Sequence, residues 1–276
     1  MSLKYKLISC DMDDTLLKKD GTVSRRNLDA IHEFERRGGV FMANTGRMHT
    51  SAIRLVKGLC LLKNSPVSAL QGAMISESET DKLLFFRPLG CDASLKLVLD
   101  CEEMGVHTQL YDTESLYCAT KSAGYKPLYG EKYALRCGIQ YTDVPSLSEY
   151  LMKTRMDNVK VIFMDEPEKL QRYLKMFEEK YGGIAKFNAS APYMGEAFSK
   201  EAGKDVACDV ICARMGITIN ECIAFGDSMN DFAMLKHAGL GVAMANAWPE
   251  VLEIADYITD GSEDDGVGKA IEKLCL

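Results

Sequence analysis

The chain has 276 residues, which is too long for a single small module and predicts one large domain or two ordinary ones. Its hydrophobic fraction of 47% and charged fraction of 26% exclude a disordered or fibrous protein and predict a sizeable core. With 40 acidic residues against 33 Lys and Arg, the formal net charge of -7 opposes attraction to nucleic acid or to an anionic membrane.

No uninterrupted apolar run approaches the roughly 18 residues of a membrane-spanning helix, and acidic residues appear too early for a signal peptide. We therefore expect a cytoplasmic protein with no nucleic-acid or membrane partner. The ten cysteines include no C-x-x-C pair, and reduced thiols are expected. Cys208 and Cys212 could share a helix face, but no histidine lies near them in sequence, which disfavours a metal site there.

The elements predicted at the amino-terminal end alternate between strands and helices. In chain order they are a strand from Lys4 to Cys10, a helix capped by Ser24 and ended by Gly38 and Gly39, a strand from Val40 to Asn44, a helix over about 49–62 and a strand from Val67 to Ile75. Such β-α-β alternation is typical of a parallel sheet with helices on both faces, a doubly wound α/β core.

The alternation returns in the last third of the chain, whereas the middle differs in character. The carboxy-terminal elements are a helix over 203–215, a strand from Cys222 to Phe225, a helix over 229–238, a strand from Leu240 to Ala243 and a last pair near 250–258. The middle holds two helical stretches, Ser94 to Met104 and Glu168 to Tyr181, among short strands such as Thr108 to Tyr111 and Val159 to Met164. We therefore predict an α/β core from residues 1–83 and 188–276 and an inserted α+β cap domain from residues 84–187.

Polar side chains follow several predicted core strands, at the edge where an open parallel sheet gathers its ligands. They are Asp11 and Asp13 after the first strand, Thr45 after the second, Asp227 after the strand that ends at Phe225, and Asn230 and Asp231 at the start of the next helix. Carboxylates that converge repel one another by about 4 kcal/mol per pair at 4 Å and an effective dielectric constant of 20, unless a cation lies among them. Hard oxygen ligands predict Mg²⁺ as that cation.

An isolated Asp-x-Asp pair is most often a turn or a helix cap, and an isolated lysine such as Lys204 is most often a solvated helix residue. The order of the pieces along this chain favours a functional interpretation. They are Asp-x-Asp-x-Thr after the first strand, Thr-Gly-Arg after the second, Lys204, and Gly-Asp-x-x-Asn-Asp after a late strand.

These pieces together resemble the haloacid dehalogenase superfamily and, within it, the Cof-type phosphatases. The matching segments are Asp11 to Leu17, Asn44 to Arg47, Lys204, Gly226 to Asp231 with Met234 and Leu235, Gly241 to Met244 with Asn246 and Ala247, and Glu263 to Val267. The resemblance covers the whole core, and it places the cap between the second and third motifs. The departures from the family pattern are Asp14 and Asp205, each where Gly is common, and Gln71 where Asn is common.

The resemblance implies a role for each motif residue. Asp11 is expected to be the nucleophile that forms an aspartyl-phosphate, Asp13 the general acid and base, and Lys204 the group that neutralises a phosphate oxygen. The residues expected to hold Mg²⁺ are Asp11, Asp13 through its backbone carbonyl, Asp227, and Asp231, which supports Lys204 or the water shell of the metal. The residues expected to bind phosphate are Thr45, Gly46, Arg47 and Asn230.

Selectivity for the substrate is expected from the cap. Ser190 and Glu196 resemble positions that face substrate in Cof-type proteins, and a hydroxyl and a carboxylate suit the hydroxyls of a sugar phosphate. The alternative is that Asn188 to Glu196 is a hinge linker with solvated side chains.

We therefore predict Mg²⁺-dependent hydrolysis of a small phosphorylated metabolite, with a sugar phosphate or a similar polyol phosphate preferred. A phosphomutase of the same superfamily stays open, because the core motifs do not separate transfer to water from transfer to a sugar hydroxyl. A phospho-aspartate signalling or binding protein is a further alternative, against which the long insertion and Asp13 both count. We expect a monomer or a weak homo-oligomer.

Overall fold

The structure is a computed structural model that describes residues 3–62, 64–120 and 128–276. The chain divides into two compact units. The first unit covers the chain up to Arg47, Ala52–Phe86 and Gly203–Leu276, and the second covers Met48–Ser51 and Arg87–Ala202. The second unit is therefore an insertion in the sequence of the first.

The amino-terminal part of the first unit alternates between strands and helices, in the predicted order. Ser24 caps the first helix, because its side-chain oxygen accepts a hydrogen bond from the backbone N–H of Asn27 at 3.1 Å. The elements are β1 (Leu7–Cys10), α1 (Arg25–Arg36), β2 (Val40–Asn44), α2 (His49–Gly58), β3 (Pro66–Ala69), β4 (Met74–Glu77) and β5 (Leu83–Phe86).

The second unit has the α+β composition expected of the middle of the chain. The helices α4 and α5, of ten and eight residues, are not among the predicted elements. Its elements are α3 (Cys91–Met104), β6 (His107–Tyr111), β7 (Ser115–Ala119), α4 (Leu128–Cys137), β8 (Gln140–Val144), α5 (Leu147–Thr154), β9 (Lys160–Met164), α6 (Pro167–Tyr181), β10 (Ala185–Ala191) and β11 (Met194–Ser199).

The strands of the second unit form one sheet in the order β10-β11-β9-β6-β7-β8, in which β7 and β8 are parallel and the other neighbours antiparallel. Because side chains alternate along a strand, the two faces of the sheet differ. Leu110, Val161 and Phe163 point into the apolar core that α3, α5 and α6 complete. Lys160 and Glu196 belong to the opposite face.

The predicted boundary between residues 187 and 188 lies inside β10, so residues 188–202 belong to the second unit. The physical reason is strand pairing: β10 forms a hairpin with β11, and β11 pairs along its length with β9. Alternation of side chains in sequence reports which face of a strand is buried, and it does not report the sheet to which the strand belongs.

The chain returns to the first unit just before Lys204, and strands and helices alternate again as predicted. The remaining elements are α7 (Lys204–Met215), β12 (Cys222–Gly226), α8 (Phe232–His237), β13 (Leu240–Ala243), α9 (Pro249–Ile254), β14 (Tyr257–Ile258) and α10 (Gly266–Leu274).

The sheet of the first unit runs in the order β14-β13-β12-β1-β2-β3-β4-β5. The neighbours from β14 to β3 are parallel, which confirms the predicted α/β core, while β4 and β5 extend the sheet beyond β3 as antiparallel strands. The single strand predicted from Val67 to Ile75 is wrong. Leu70, Gln71 and Gly72 take positive φ angles of 54°, 59° and 80°, and this left-handed turn divides the segment into β3 and β4.

Within the three described ranges, no helix combines the length and the apolar character that crossing a membrane requires.

Candidate active site

Two acidic residues follow neighbouring parallel strands in the middle of the first unit's sheet. β1 pairs with β12 in a register that places Cys10 beside Phe225. The backbone N–H of Asp11 donates to the carbonyl oxygen of Phe225 at 3.0 Å, so the chain leaves both strands at the same edge. The register therefore brings Asp11 close to Asp227.

Lys204 lies between two carboxylates. Its Nζ atom donates to Oδ1 of Asp11 at 2.5 Å and to Oδ1 of Asp231 at 2.6 Å. Lys204, Asp11 and Asp231 are only 3%, 5% and 0% exposed. A buried ammonium group is costly unless it is paired, and the two carboxylates supply that pairing. Lys204 is thus a member of a buried charged cluster and not a solvated helix residue.

The backbone of Lys204 is held by Asn44 at the end of β2. The Nδ2 group of Asn44 donates to the carbonyl oxygen of Lys204 at 2.9 Å, and Oδ1 of Asn44 accepts from Oγ of Ser68 at 2.7 Å. Asn44 is fully buried, so these hydrogen bonds satisfy an amide that has little access to water. The first turn of α7 is consequently fixed to β2.

A close backbone approach also positions Lys204. The left-handed turn between β3 and β4 includes Gly72, with a φ of 80°, and a Cβ atom there would lie 2.1 Å from the carbonyl oxygen of Gly203. Only glycine leaves room for the residue that precedes Lys204. This contact was not predicted, because residues 67–75 were expected to form one continuous strand.

Asp227 is oriented by the loop that follows β1. Its Oδ1 atom accepts a hydrogen bond of 2.8 Å from Oγ1 of Thr15. The other side of the loop after β12 is held by Asp231, whose Oδ2 atom accepts from the backbone N–H groups of Asp227 at 3.0 Å and Ser228 at 3.2 Å. Asp231 therefore connects Lys204 to the loop that carries Asp227.

Burial and nearby negative charge make Asp11 and Asp227 hard to ionise. Burial raises the pKa of Asp11 well above its usual value, and the negative charge of Asp231 adds to the effect while Lys204 opposes it. Burial and then the charge of Asp231 raise the pKa of Asp227 to about 7. Burial by itself would lower the pKa of Lys204, but its two carboxylate partners outweigh burial and hold that pKa above the usual range. Lys204 is accordingly the charged partner of the cluster.

The cluster fits a divalent cation by its donors and by its charge. Asp11, Asp227 and Asp231 each offer a carboxylate oxygen, and these oxygens all lie within 4.8 Å of one another. Three buried carboxylates and one ammonium group leave two negative charges uncompensated, which is unfavourable in a buried site. Oxygen ligands with this charge are those that Mg²⁺ prefers.

Asp13 lies apart from the buried cluster. Its side chain is 54% exposed, and both of its carboxylate oxygens are bound by Arg47. Nε of Arg47 donates to Oδ2 of Asp13 at 2.6 Å, and Nη2 of Arg47 donates to Oδ1. Two parallel hydrogen bonds of this kind fix the carboxylate in one orientation. Arg47 is thus a partner of the expected acid–base residue.

The other expected phosphate ligands lie in loops of the same unit. Thr45 is buried, and its Oγ1 accepts from the backbone N–H of Arg47 at 3.1 Å. Gly46 adjoins Gln71, whose Nε2 atom would lie 2.5 Å from a Cβ at position 46. Asn230 is half-buried, and its Oδ1 accepts from Oγ of Ser228 at 2.7 Å.

Ser190 and Glu196 lie in the hairpin of β10 and β11 in the second unit. Oγ of Ser190 donates to Oε1 of Glu196 at 3.0 Å, and Nζ of Lys160 lies 3.4 Å from the same oxygen. The side chains of Lys160 and Glu196 are 3% and 4% exposed. The proposal of a hinge linker with solvated side chains is therefore wrong for Glu196, which belongs to a buried ion pair in a sheet.

A row of polar side chains continues from this ion pair across the same face of the second unit's sheet. Nζ of Lys160 lies 5.0 Å from the ring centre of Tyr111, and the hydroxyl of Tyr111 donates to Oε1 of Gln109 at 2.8 Å. Nε2 of Gln109 lies 3.2 Å from Nε2 of His107. We call His107, Gln109, Tyr111, Lys160, Glu196 and Ser190 the polar row.

Three residues with contacts in these sites were not predicted from the sequence, although each has a recognisable sequence feature. Thr15 ends the Asp-x-Asp-x-Thr motif and Asn44 begins the Asn-Thr-Gly-Arg motif, but the motifs alone assign neither residue a role. Lys160 is the one charged residue between Val159 and Met164, in a segment that otherwise reads as a buried strand. A charge in such a segment indicates either an edge position or a buried partner.

Comparison with known proteins is consistent across families, sequences and structures. A family model described as haloacid dehalogenase-like hydrolase matches residues 8–271. The putative phosphatase YxeH of Bacillus subtilis is 31% identical over 277 residues, covering 99% of each chain. The 5-amino-6-(5-phospho-D-ribitylamino)uracil phosphatase YcsE of the same organism is 29% identical over 275 residues, covering 98% of this chain and 96% of YcsE. A haloacid dehalogenase-like hydrolase structure from Bacteroides thetaiotaomicron superposes with a TM-score of 0.80 at 25% identity, covering 98% of this chain and 99% of the other.

Proposed function

Because the chain belongs to the haloacid dehalogenase-like hydrolase family and is a phosphatase, we propose that it hydrolyses small phosphate monoesters through a covalent phosphate on Asp11. The observation that carries this proposal is the buried contact of Lys204 with Asp11 and Asp231, next to Asp227. A carboxylate that is buried, paired with a fixed ammonium group and located at the carboxyl edge of a parallel sheet is suited to nucleophilic catalysis.

Asp11 attacks phosphorus in line with the leaving oxygen and becomes an aspartyl-phosphate, which water then hydrolyses. The approach of a carboxylate to a phosphate dianion is opposed by repulsion between like charges. Lys204 reduces this repulsion, because its ammonium group already touches Asp11 and stays charged during the reaction. Asp231 keeps Lys204 in place.

We propose that Asp11, Asp227 and the backbone carbonyl of Asp13 hold Mg²⁺, and that Asp231 supports the site through Lys204. Asp227 is already oriented by Thr15, as expected for a ligand in a pre-arranged site. When bound, Mg²⁺ neutralises charge on the carboxylates and on the transferring phosphoryl group.

Asp13 is proposed to donate a proton to the leaving oxygen and later to accept one from the attacking water. Its ion pair with Arg47 keeps the carboxylate oriented but leaves it more than half exposed, where a leaving group can reach it. We propose that four groups bind the phosphoryl oxygens: the hydroxyl of Thr45, the backbone N–H of Gly46, the guanidinium of Arg47 and the amide of Asn230.

For the substrate, we propose a sugar phosphate or a related polyol monophosphate. Ser190, Glu196 and Lys160 supply hydroxyl, carboxylate and ammonium groups in one contact network, and such groups recognise hydroxyls. Since Lys160 and Glu196 compensate each other in charge, this network favours a neutral polyhydroxylated group over a second phosphate. The name of the relative YcsE describes a phosphorylated ribityl compound, which is a substrate of the same chemical class.

The test is a phosphate-release assay over a panel of sugar phosphates, nucleotides, phosphoamino acids and p-nitrophenyl phosphate, with Mg²⁺ or with excess chelator. We expect release that depends on Mg²⁺ and is lost in Asp11→Asn. Asp20→Asn is the matched control, because Asp20 is an exposed aspartate that accepts a hydrogen bond from the hydroxyl of Thr22. Hydrolysis at the wild-type rate by Asp11→Asn would disprove the nucleophile.

The same assay separates a hydrolase from a phosphomutase. A mutase would isomerise a sugar phosphate and release little phosphate without a second acceptor, whereas a hydrolase releases one phosphate per substrate. Glu196→Gln should lower kcat/KM for sugar phosphates and leave that for p-nitrophenyl phosphate nearly unchanged. An equal loss on both substrates would remove Glu196 from substrate selection, and a preference for nucleotides would overturn the sugar phosphate assignment.

A further inference from the structure

Asp14 adopts a backbone conformation that is unusual for a residue with a side chain. Its φ and ψ angles are 56° and 7°, in the left-handed region, while the preceding Asp13 is extended with φ −73° and ψ 132°. For residues other than glycine this region is sterically unfavourable, although aspartate tolerates it better than most. The turn therefore needs support from the surrounding structure.

The support comes from Asn246, which is distant in sequence. Its Nδ2 group donates to the carbonyl oxygen of Asp14 at 2.8 Å, and its Oδ1 atom accepts from the backbone N–H of Ser262 at 3.0 Å. One amide side chain thus joins the loop after β1, the loop after β13 and the segment that precedes α10. A second hydrogen bond connects the same regions: the backbone N–H of Lys19 donates to Oε1 of Glu263 at 2.7 Å.

The position of the Asp14 carbonyl matters because of its neighbours. On one side is Asp13, whose carboxylate is bound by Arg47, and on the other is Thr15, which orients Asp227. A rotation of the peptide that follows Asp14 would change the directions of both side chains. The hydrogen bond from Asn246 opposes that rotation.

We propose that Asn246 is a positioning residue for Asp13, and that it does so by stabilising the left-handed turn at Asp14. The inference rests on the proposed function only where it assigns proton transfer to Asp13. Asn246 donates to backbone and needs no contact with substrate, so its loss should affect kcat more than KM.

The first measurement compares substrates with different leaving groups. An alkoxide leaving group needs a proton far more than p-nitrophenolate does. Imperfect placement of Asp13 should therefore lower kcat/KM mainly for alkyl phosphates. We expect Asn246→Ala and Asn246→Asp to lower kcat/KM for an alkyl phosphate about tenfold, and for p-nitrophenyl phosphate less than about threefold. Asn246→Asp keeps the acceptor for Ser262, removes the donor to Asp14 and adds a negative charge, whereas Asn246→Ala removes both hydrogen bonds without adding charge.

The second measurement is a double-mutant cycle with Asp14→Gly. Glycine adopts the left-handed conformation without steric cost, so the turn should then need less support. In the Asp14→Gly background, the further change Asn246→Asp should lower kcat/KM for the alkyl phosphate less than about twofold. The matched control is Asn64→Ala. Asn64 is exposed, as Asn246 is, and its amide likewise makes one bond as a donor, to Glu77, and one as an acceptor, from the N–H of Glu79.

The outcomes separate this inference from the proposed function. A loss that is equal for both leaving groups, or one that is undiminished in the Asp14→Gly background, would overturn the positioning role of Asn246. If Asp13→Asn shows no dependence on the leaving group, the acid–base role of Asp13 fails instead. Circular dichroism of each variant establishes that the comparison concerns folded protein.

Discussion

Oγ1 of Thr15 donates a 2.8 Å hydrogen bond to Oδ1 of Asp227, although the two residues are 212 positions apart in the chain. Both side chains are buried, at 0% and 6% exposure. The bond connects the loop after β1 to the loop after β12, and it restricts the rotation of a carboxylate proposed to bind metal. Groups that orient a metal ligand in this way contribute to affinity without touching the metal.

Thr15→Val preserves the shape of this side chain and removes the donor. We expect the Mg²⁺ concentration that gives half-maximal activity to rise by about tenfold or more, because Asp227 loses its orienting hydrogen bond. Thr22→Val is the matched control, because Thr22 is exposed and its hydroxyl donates to the carboxylate of Asp20. A Mg²⁺ titration that is unchanged in Thr15→Val would show that this bond does not serve the metal site.

Asp13→Asn should slow hydrolysis steeply and spare Mg²⁺ binding. The amide cannot donate a proton as an acid or accept one as a base, so kcat is expected to fall by roughly 10²–10⁴-fold. Acid-quenched samples with p-nitrophenyl phosphate should contain more phosphorylated protein than wild type, because the attack by water has lost its base. A variant with full turnover of alkyl phosphates would contradict this role.

Lys160 and Glu196 form a buried pair whose members depend on each other. Lys160→Met leaves the Glu196 carboxylate buried beside Ser190, and we expect a loss of about 3–5 kcal/mol in the free energy of unfolding. The double variant Lys160→Met/Glu196→Leu should recover much of that loss, because no charge stays buried without a partner. Thermal unfolding of the single and double variants measures both effects.

The exposed pair of Lys180 and Asp100 in the same unit serves as the control for this cycle. Its nitrogen and oxygen lie 2.7 Å apart, but the lysine side chain is 53% exposed. Lys180→Met should cost less than about 1 kcal/mol. Equal losses for Lys160→Met and Lys180→Met would contradict the importance of burial at Glu196.

His107 should make the second unit sensitive to acid. Burial lowers the pKa of His107 to about 4, below the usual 6.5, so the unfolded chain binds this proton at a higher pH than the folded chain does. The stability contributed by neutral His107 is therefore complete above pH 6.5 and is lost as the pH falls towards 4, by about 3 kcal/mol.

The measurement is urea denaturation of wild type and His107→Gln at several pH values between 8 and 4. Other groups titrate in both proteins, so the difference between the two isolates His107. We expect wild type to lose stability relative to His107→Gln as the pH falls through this window. Parallel curves for the two proteins would show that protonation of His107 does not destabilise the fold.

The α/β core, the capping of α1 by Ser24 and the order of the motifs that identify the family were all predictable from the sequence. These features follow from local physics: apolar periodicity distinguishes strands from helices, and side chains at helix starts satisfy free backbone N–H groups. The convergence of Asp11 with Asp227 was also predictable, because residues that follow parallel strands share one edge of the sheet.

The partners of the motif residues depend on the tertiary fold. The contact of Lys204 with Asp11 and Asp231, the exposure of Asp13 beside Arg47 and the burial of Lys160 with Glu196 depend on distances between segments far apart in the chain.

Contacts between distant segments also explain why some elements were predicted wrongly. The turn at Leu70–Gly72 and the assignment of β10 and β11 to the second sheet were not predictable from alternation, because strands of either sheet alternate alike. Periodicity reports which side of an element is buried. The partner against which it is buried is set by packing and strand pairing over the whole chain, and these exist only in the folded protein.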